Sequence, residues 1–235
     1  MNNFNNFFHR MLFTGEESLQ CILTTSNTGN IGRNSEPEND NRKKIRNMLG
    51  VEKIITLTQA HTKTVFDVKQ LRENEIFTGD GLLTSGNDVL AVTVADCLPI
   101  FLYDSRKKVY AIVHSGWKGT GIAANAVRIM TDKYFSNPED IEAVIGPSIG
   151  CCCYSVDAGR AEIFGSEWGA ETVSYRDGKY YLDLKKANKM LLAREGLCRI
   201  QISDICTCCS GSFFSYRRDG AKDFSLMLAL IGYFG

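Results

Sequence analysis

Near-continuous apolar runs rich in β-branched residues constrain the fold of this chain more than any other feature. They occupy residues 89–94, 109–113 and 141–145, and a fourth apolar stretch, 99–103, follows a polar break. Short runs of this kind are typical of strands that are buried on both faces of a sheet. The sequence therefore predicts a central β-sheet that is covered on both sides.

Other segments carry the patterns of helices, further strands and a loop. Polar residues interrupted by Pro37 predict a long surface loop over 27–47. The remaining predictions are helices over 42–49, 122–134 and 184–195, strands at 53–57, 199–202 and 224–231, and a hairpin over 172–184 that turns at Asp177-Gly178. Strands and helices intermix without strict alternation, which favours the α+β class, with a mixed-sheet α/β fold as the alternative. We expect a single catalytic domain over 1–235, with a central mixed β-sheet flanked by helices.

Composition and charge exclude several classes of partner. The chain has 235 residues with 44% hydrophobic content, enough for one large core, and its 27 basic residues balance 27 acidic ones. No polybasic run points to nucleic acid or a membrane surface, so a small molecule is the expected partner. The N-terminus lacks a secretory signal, and no apolar run is long enough to span a membrane. We therefore expect a cytoplasmic monomer or homodimer whose nine cysteines are reduced.

Three potential metal ligands lie at predicted strand ends. His61 and His114 stand where an apolar strand gives way to a polar turn, and Cys97 has the same position in Val-Ala-Asp-Cys-Leu-Pro. Strand ends are where side chains converge on a cleft. Two imidazoles and one thiolate suit Zn²⁺, and three protein ligands leave a fourth position free, as in catalytic zinc sites.

Spacing alone leaves a simpler interpretation open. The three residues lie far apart in the chain and form no compact ligand motif. A histidine at a strand end is commonly a hydrogen-bonded polar residue, and a single cysteine is commonly a small buried hydrophobe. The choice between a shared metal site and separate structural roles needs further evidence.

Six ordered motifs supply that evidence. They are Gln59-Ala-His61, Asp80-Gly-Leu-Leu-Thr84, Ala95-Asp-Cys-Leu-Pro99, His114-Ser-Gly-Trp-Lys-Gly119, Ile145-Gly-Pro-Ser-Ile-Gly150 with Cys153-Tyr154, and Phe213-Phe-Ser-Tyr-Arg-Arg218. Together they resemble the YfiH family, also labelled the laccase-domain or polyphenol oxidoreductase family, over about residues 27–218. The resemblance implies that His61, Cys97 and His114 ligate a catalytic metal, usually taken as zinc, with copper the weaker alternative that the laccase label suggests.

The resemblance also implies a set of substrate-binding residues. These are Asn30, Gly32 and Arg42 in an N-terminal substrate loop, together with Gln59, Lys118 and Arg217. The chain departs from the family pattern after the paired arginines, where Gly220-Ala-Lys-Asp-Phe replaces the usual Gly-Arg step. Any substrate contact of that family arginine is therefore in question here.

The glycine-rich turn after His114 has the features of an anion-binding turn. Three glycines allow the backbone to bend closely round a ligand, and the helix that follows would direct its N-terminal N–H groups to the same place, beside Lys118. This pattern indicates an anion pocket next to the metal. A tight turn with a solvated Lys118 is the alternative.

Four further residues near the predicted site each have two interpretations. Asp80 and Asp96 could orient a ligand histidine or act as a general base, or could instead be a turn former and a cap. Asp80 is included among the predicted catalytic residues. Trp117 and Tyr154 could stack on a purine or pack in the core.

Two clusters of cysteines raise the question of a second metal. Residues 151–153 and the Cys206-Thr-Cys208-Cys209 segment could together bind zinc. Neighbouring residues of a strand point to opposite faces, so three consecutive cysteines on a strand could not all reach one ion. On this argument the sequence disfavours a second metal site.

The resemblance implies a function, and other classes remain to be tested against it. It implies a zinc-dependent purine nucleoside phosphorylase that uses phosphate and acts on adenosine, inosine and guanosine, with methylthioadenosine as a further candidate substrate and adenosine deaminase activity at the same site. The alternative from the same family is an amidase that removes a misincorporated amino acid from a UDP-MurNAc cell-wall precursor, with Cys97 as nucleophile. A copper polyphenol oxidoreductase and a non-catalytic metal-binding domain are ranked below these, because three histidines are too few for a multicopper centre and a polar cleft is costly to keep for packing alone.

Overall fold

Strands and helices intermix in the fold, which is described for residues 4–34, 38–73 and 75–234 of a computed structural model. The helices are α1 (Phe4–Phe7), α2 (Asp40–Leu49), α3 (Ile122–Tyr134), α4 (Ala158–Trp168), α5 (Leu184–Arg194) and α6 (Tyr216–Asp219). The strands are β1 (Phe8–Phe13), β2 (Glu16–Thr24), β3 (Val65–Asp67), β4 (Gly81–Thr84), β5 (Leu90–Val94), β6 (Leu98–Asp104), β7 (Val109–Ser115), β8 (Ile141–Ile145), β9 (Ser155–Val156), β10 (Val173–Arg176), β11 (Lys179–Leu182), β12 (Arg199–Ile202) and β13 (Met227–Tyr233).

The strands of the described residues form three sheets. A six-stranded mixed sheet has the order β12-β8-β6-β7-β4-β3, in which β12 pairs parallel to β8 and β3 pairs parallel to β4. A four-stranded antiparallel sheet has the order β1-β2-β13-β5, and a small antiparallel sheet has the order β10-β11-β9. The fold is thus a mixed α+β fold, as predicted.

The two large sheets pack face to face and helices cover their outer faces. Side chains such as Phe101 and Tyr110 of the six-stranded sheet meet Leu23 and Val92 of the four-stranded sheet in one buried cluster. The other face of the six-stranded sheet packs on α3, α4 and α5, and the other face of the four-stranded sheet packs on α2. Because both faces are covered, every residue of β5, β6, β7 and β8 is buried.

Most predicted elements agree with the structure in type and position. The predicted strand 141–145 and helix 122–134 have the observed bounds, and the strand predicted at 109–113 continues to Ser115. The helix predicted from 42 begins two residues earlier, because the Asn39 side chain caps it by accepting a hydrogen bond from the backbone N–H of Arg42. Pro37, inside the predicted loop, lies outside the described residues.

Two strand predictions need correction. Residues 53–57 form no strand, because Ile55 pairs with Leu90 only through an isolated bridge and the ladder does not continue. The last strand begins at Met227 rather than near 224, because the N–H of Phe224 donates to the carbonyl of Gly220 in a turn. Several elements were not predicted, namely α1, the hairpin of β1 and β2, β3, β4, β9, α4 and α6.

No helix among the described residues is both long enough and apolar enough to cross a bilayer.

Candidate metal centre and its pocket

The structure brings His61, Cys97 and His114 together. Each offers one ligand atom, and the three atoms lie within 4.8 Å of one another. His114 and Cys97 meet because β6 and β7 pair antiparallel, with Leu98 opposite Ser115, so that the residues at the β6 start and the β7 end are neighbours. The His61 ring stands edge-on to that of His114, with ring centroids 4.9 Å apart.

The Asp80 carboxylate contacts both histidine segments and fixes their positions. Its Oδ1 lies 2.8 Å from Nδ1 of His114 and accepts the backbone N–H of His61 at 3.1 Å. Its Oδ2 accepts the N–H and the hydroxyl of Thr62 at 2.6 and 2.8 Å. Because Nδ1 of His114 is held by the carboxylate, Nε2 is the nitrogen left for a metal. The fully buried carboxylate therefore positions the ligands rather than facing a substrate.

The electrostatics of the site favour a charged thiolate. Burial alone would raise the pKa of Cys97, but the charge of His114 and hydrogen bonds from both histidines outweigh it and lower that pKa to about 6. Burial likewise opposes charge on His114, yet Cys97 and Asp80 raise its pKa to about 9. The pKa of Asp80 falls to about 2, because hydrogen bonds from His114 and Thr62 overcome its desolvation. The site is thus built around a thiolate, the form of cysteine that binds metals.

Backbone features at the site keep room for an ion. A Cβ on Gly116 would lie 2.9 Å from Sγ of Cys97 and 3.4 Å from Cδ2 of His61, so a larger residue there would press on two of the three donors. His61 itself has a φ of 56°, a left-handed conformation that is rare outside glycine. A mixed nitrogen and sulfur donor set with three members fits zinc, and a place beside it remains for a reactant.

The three donors form part of the lining of a cavity of about 750 Å³. Of the predicted substrate-binding residues, Gln59, Lys118 and Arg217 line it. Asn30, Gly32 and Arg42 do not line it, whereas their loop neighbours Arg33 and Asn34 do. Those three residues therefore stay predictions as substrate contacts.

Arg42 shapes the loop instead. Its guanidinium donates to the carbonyl oxygens of Ile31 and Gly32 at 2.6 and 2.9 Å and to Oδ1 of Asn34 at 2.8 Å. Asn34 in turn donates to Oε1 of Gln59 at 2.9 Å. The loop that carries Arg33 and Asn34 is thereby held against the cavity.

Cationic side chains surround the cavity on the side of Trp117. The guanidinium of Arg160 lies 4.8 Å from the Trp117 ring centroid, and Nζ of Lys118 lies 5.6 Å from it. Arg217 is held by Ser155, which accepts from its Nη1 at 2.8 Å, and lies over the ring of Tyr154 at 5.4 Å. These groups supply positive charge for an anion.

The N-terminus of α3 is not the source of that charge. Residues 119–123 do not line the cavity, and a Cβ on Gly121 would point instead to Trp168 at 3.3 Å and Leu191 at 3.8 Å. The turn does bring Gly116, Trp117 and Lys118 to the cavity. The predicted anion pocket thus depends on side chains rather than on backbone N–H groups.

Asp96 has a role that neither sequence interpretation described in full. Its Oδ1 accepts the hydroxyl of Thr207 at 2.6 Å, and its Oδ2 accepts the backbone N–H of Arg217 at 2.7 Å and the hydroxyl of Ser215 at 3.0 Å. It does not bond to a ligand histidine. Because Asp96 immediately precedes Cys97, these hydrogen bonds tie the backbone at Cys97 to the segment that carries Arg217.

Sequence reasoning missed several residues of the cavity. Arg33, Asn34, Arg160, Tyr216 and Phe224 line it without having been singled out. Phe224 and Tyr216 stack edge to face at 5.0 Å, in the region where the chain departs from the family's Gly-Arg step. A basic residue one helical turn beyond the Asp157 cap was the available signal for Arg160.

The α+β fold places a group of two histidines and one cysteine in a cleft. Comparisons with known proteins show which protein family has this sequence and this fold. The sequence profile of the family described as multi-copper polyphenol oxidoreductase laccase matches residues 21–233. A purine nucleoside phosphorylase of Clostridium acetobutylicum is 36% identical over 212 residues, which cover 87% of this chain and 88% of that protein.

Solved structures agree with that match. YlmD from Geobacillus stearothermophilus superimposes with a TM-score of 0.87 at 30% identity, covering 97% of this chain and 96% of that one. The hypothetical protein YfiH of Bacillus licheniformis gives a TM-score of 0.80 at 31% identity, covering 96% and 98%. The chain belongs to this laccase-domain family, which the YfiH structures represent.

Proposed function

We propose that this protein is a zinc-dependent purine nucleoside phosphorylase that cleaves adenosine, inosine, guanosine and methylthioadenosine with phosphate, and deaminates adenosine at the same site. The observation that carries the proposal is the meeting of three metal donors, a group of cations and several aromatic rings in one cavity of about 750 Å³. A cavity of that size suits a nucleoside with phosphate beside it. The name of the Clostridium acetobutylicum relative supports the same reaction.

His61, Cys97 and His114 would hold the zinc ion, and Asp80 keeps the His114 imidazole oriented for it. When bound, Zn²⁺ supplies Lewis acidity next to the reacting groups. The donor residues thus define one end of the substrate cavity.

The remaining cavity residues divide between the anion and the base. Lys118, Arg160 and Arg217 offer positive charge to phosphate, and the bond from Arg217 to Ser155 orients its guanidinium before a ligand arrives. Tyr216 and Phe224 offer aromatic faces to a purine. The proposal therefore assigns a binding role to each wall of the cavity.

Incubation of the purified protein with adenosine, with and without phosphate, tests this function. Chromatography should show adenine release that phosphate stimulates, and inosine as the product of deamination. Lys118→Met should raise the KM for phosphate, whereas Lys107→Met, in the exposed turn at the far end of β6, should not. Adenine release that ignores phosphate contradicts the proposal.

The amidase alternative is favoured by one observation, the close approach of the Cys97 sulfur and the His114 ring, which together with the lowered pKa of Cys97 also suits a nucleophile and base pair. Metal analysis separates the two roles. Cys97→Ala should lose one equivalent of zinc relative to wild type if Cys97 is a ligand, and should keep all of it if Cys97 is a free nucleophile. Hydrolysis of an aminoacyl UDP-MurNAc substrate by zinc-free protein would support the amidase.

A multicopper oxidoreductase centre would need more histidines, and no histidine besides His61 and His114 belongs to the group of ligands among the described residues. His9, the third histidine, stacks edge to face on Phe213 at 5.8 Å and is not a member of the metal group.

A cytoplasmic location, a monomeric or homodimeric state and a single catalytic domain stay predictions. Cell fractionation, size-exclusion chromatography and limited proteolysis test them in turn.

A further inference from the structure

Four cysteine sulfurs gather at a second place in the molecule. Cys152 and Cys153 come from the turn that follows the Ile149-Gly150 step, and Cys206 and Cys209 come from the turn after β12. One sulfur from each residue lies within 4.8 Å of the other three. The sequence argument against such a site assumed a strand, but residues 151–153 form a turn, so neighbouring side chains can reach the same point.

The sulfurs lie close enough together to surround a single ion in a tetrathiolate site. Sγ of Cys209 lies 3.3 Å from Sγ of Cys153 and 3.8 Å from Sγ of Cys152. Zinc–sulfur bonds of about 2.3 Å in a tetrahedron place neighbouring sulfurs about 3.8 Å apart. Four protein ligands complete the coordination of zinc, which is the arrangement of structural sites rather than catalytic ones.

The surroundings of the sulfurs suit a negatively charged tetrathiolate centre. The backbone N–H of Gly150 donates to Sγ of Cys206 at 3.2 Å. A Cβ on Gly150 would lie 3.1 Å from Sγ of Cys152, so the glycine leaves the close approach possible. Lys185 donates to the carbonyl oxygens of Ser203 and Ile205 at 2.6 and 2.9 Å, which places its charge beside the Cys206 turn. Hydrogen bonds to sulfur and a nearby cation reduce the cost of gathering four thiolates.

We propose that Cys152, Cys153, Cys206 and Cys209 bind a second, structural zinc ion. The site joins two segments that support the substrate cavity. Tyr154, next to Cys153, lines the cavity, and Thr207, next to Cys206, donates to Asp96 at 2.6 Å. An ion shared by the two turns therefore braces the residue that precedes Cys97 and the wall that carries Tyr154.

Zinc stoichiometry of the purified full-length chain, prepared under reducing conditions and measured by plasma mass spectrometry, tests the proposal. Wild type should hold about two zinc ions per chain, and Cys97→Ala, which removes a donor of the first site, should retain about one. The double variant Cys152→Ser/Cys209→Ser should also hold about one, and the combination of all three changes none. Cys151→Ser, in the same turn but outside the sulfur group, is the matched control and should hold about two.

Cobalt substitution identifies the donors independently of stability. Cobalt-loaded Cys97→Ala should show the intense sulfur-to-cobalt charge-transfer absorption of a four-thiolate site, and the serine double variant in that background should lose it. The Cys97→Ala measurement uses an intact cysteine cluster, so it decides the question even where the serine variants do not fold.

Two results would overturn the proposal. One is a Cys97→Ala protein that binds neither zinc nor cobalt at the second site. The other is a native mass two hydrogens lower, with a disulfide between Cys153 and Cys209 in place of metal. Neither result bears on phosphorolysis, so this inference and the proposed function fail separately.

Discussion

Two residues at the site adopt a backbone conformation that side chains rarely occupy. His61, with a φ of 56°, is one of the three candidate ligands. Asp96, with a φ of 78°, immediately precedes another, Cys97. Such conformations cost of order 1–3 kcal/mol each and persist where surrounding contacts hold them. Asp80 holds His61 through its N–H, and the Asp96 side chain is itself held by Thr207 and Arg217. The two buried carboxylates thus maintain the strained backbone at His61 and at the residue before Cys97.

Asp80→Asn should weaken zinc binding at the His61, Cys97 and His114 site by about 10- to 100-fold. An amide has one oxygen where the carboxylate has two, so it cannot accept from both histidine segments and from Thr62 together. Competition with a chromophoric chelator measures the affinity. In the same assay Asp104→Asn is the control, because Asp104 is equally buried but lies at the far end of β6. Equal affinity in wild type and Asp80→Asn would exclude the positioning role.

Metal-free protein should show a Cys97 thiol that reacts at unusually low pH. Because the folded pKa is lowered from 9.0 to about 6, the thiolate is present between these values in the folded chain and absent in the unfolded chain. The rate of alkylation of Cys97, followed by peptide mass spectrometry, should therefore rise as the pH increases through about 6. In denaturant the same rise should occur near the ordinary value. Added zinc should suppress alkylation of the folded protein, and a profile unchanged by unfolding would contradict the pKa shift.

At the scale of elements, helix α2 supports the loop that reaches the cavity. Asn39 caps the helix, and Arg42 in its first turn makes a fork of hydrogen bonds to Ile31, Gly32 and Asn34. A guanidinium makes several hydrogen bonds in one plane, which a lysine ammonium cannot reproduce. The loop position therefore depends on a helix that itself contributes no lining residue.

Arg42→Lys should raise the KM for the nucleoside about tenfold while kcat changes little, because the loop loses its order but the donors are untouched. Steady-state phosphorolysis with varied adenosine measures both constants. Lys43→Met, on the exposed side of the same helix, is the control and should leave KM unchanged. A fall in kcat with constant KM would place Arg42 in the chemical step instead.

At the scale of the whole molecule, the two large sheets share one buried layer that fixes the strand ends. Phe101 of β6 is fully buried in the cluster between the sheets, and β6 begins next to Cys97. The layer positions β6 against β7, and so it positions Cys97 against His114. The meeting of these two candidate ligands is a product of the packing of the entire fold.

Phe101→Ala should lower the free energy of unfolding by about 3–5 kcal/mol, since it leaves a cavity between the sheets. Urea denaturation of the purified chain measures the change. Ile76→Ala, at a side chain that is 86% exposed, should change stability by about 0.5 kcal/mol or less. A small loss at Phe101 would mean that the layer can collapse to fill the space.

The amino-acid sequence by itself determined most of the local elements and named the three candidate ligands. The apolar runs predicted β5 to β8 because strands covered on both faces need apolar residues at consecutive positions, and the helical spacing predicted α3. Family motifs named His61, Cys97 and His114. The α1 to β2 segment and α4 escaped prediction, because their burial depends on partners distant in the chain, such as β13 beside β2.

Only the tertiary structure decided which of these residues meet. Arg33 and Asn34 reach the cavity, and four cysteines converge, through turns and loops whose direction no periodicity encodes, whereas Arg160 reaches the cavity from the first turn of α4. A turn obeys neither the two-residue period of a strand nor the helical repeat, so its side chains are placed by long-range packing. For the same reason the premise of the sequence argument against a second metal does not hold at residues 151–153, where the chain turns instead of continuing as a strand.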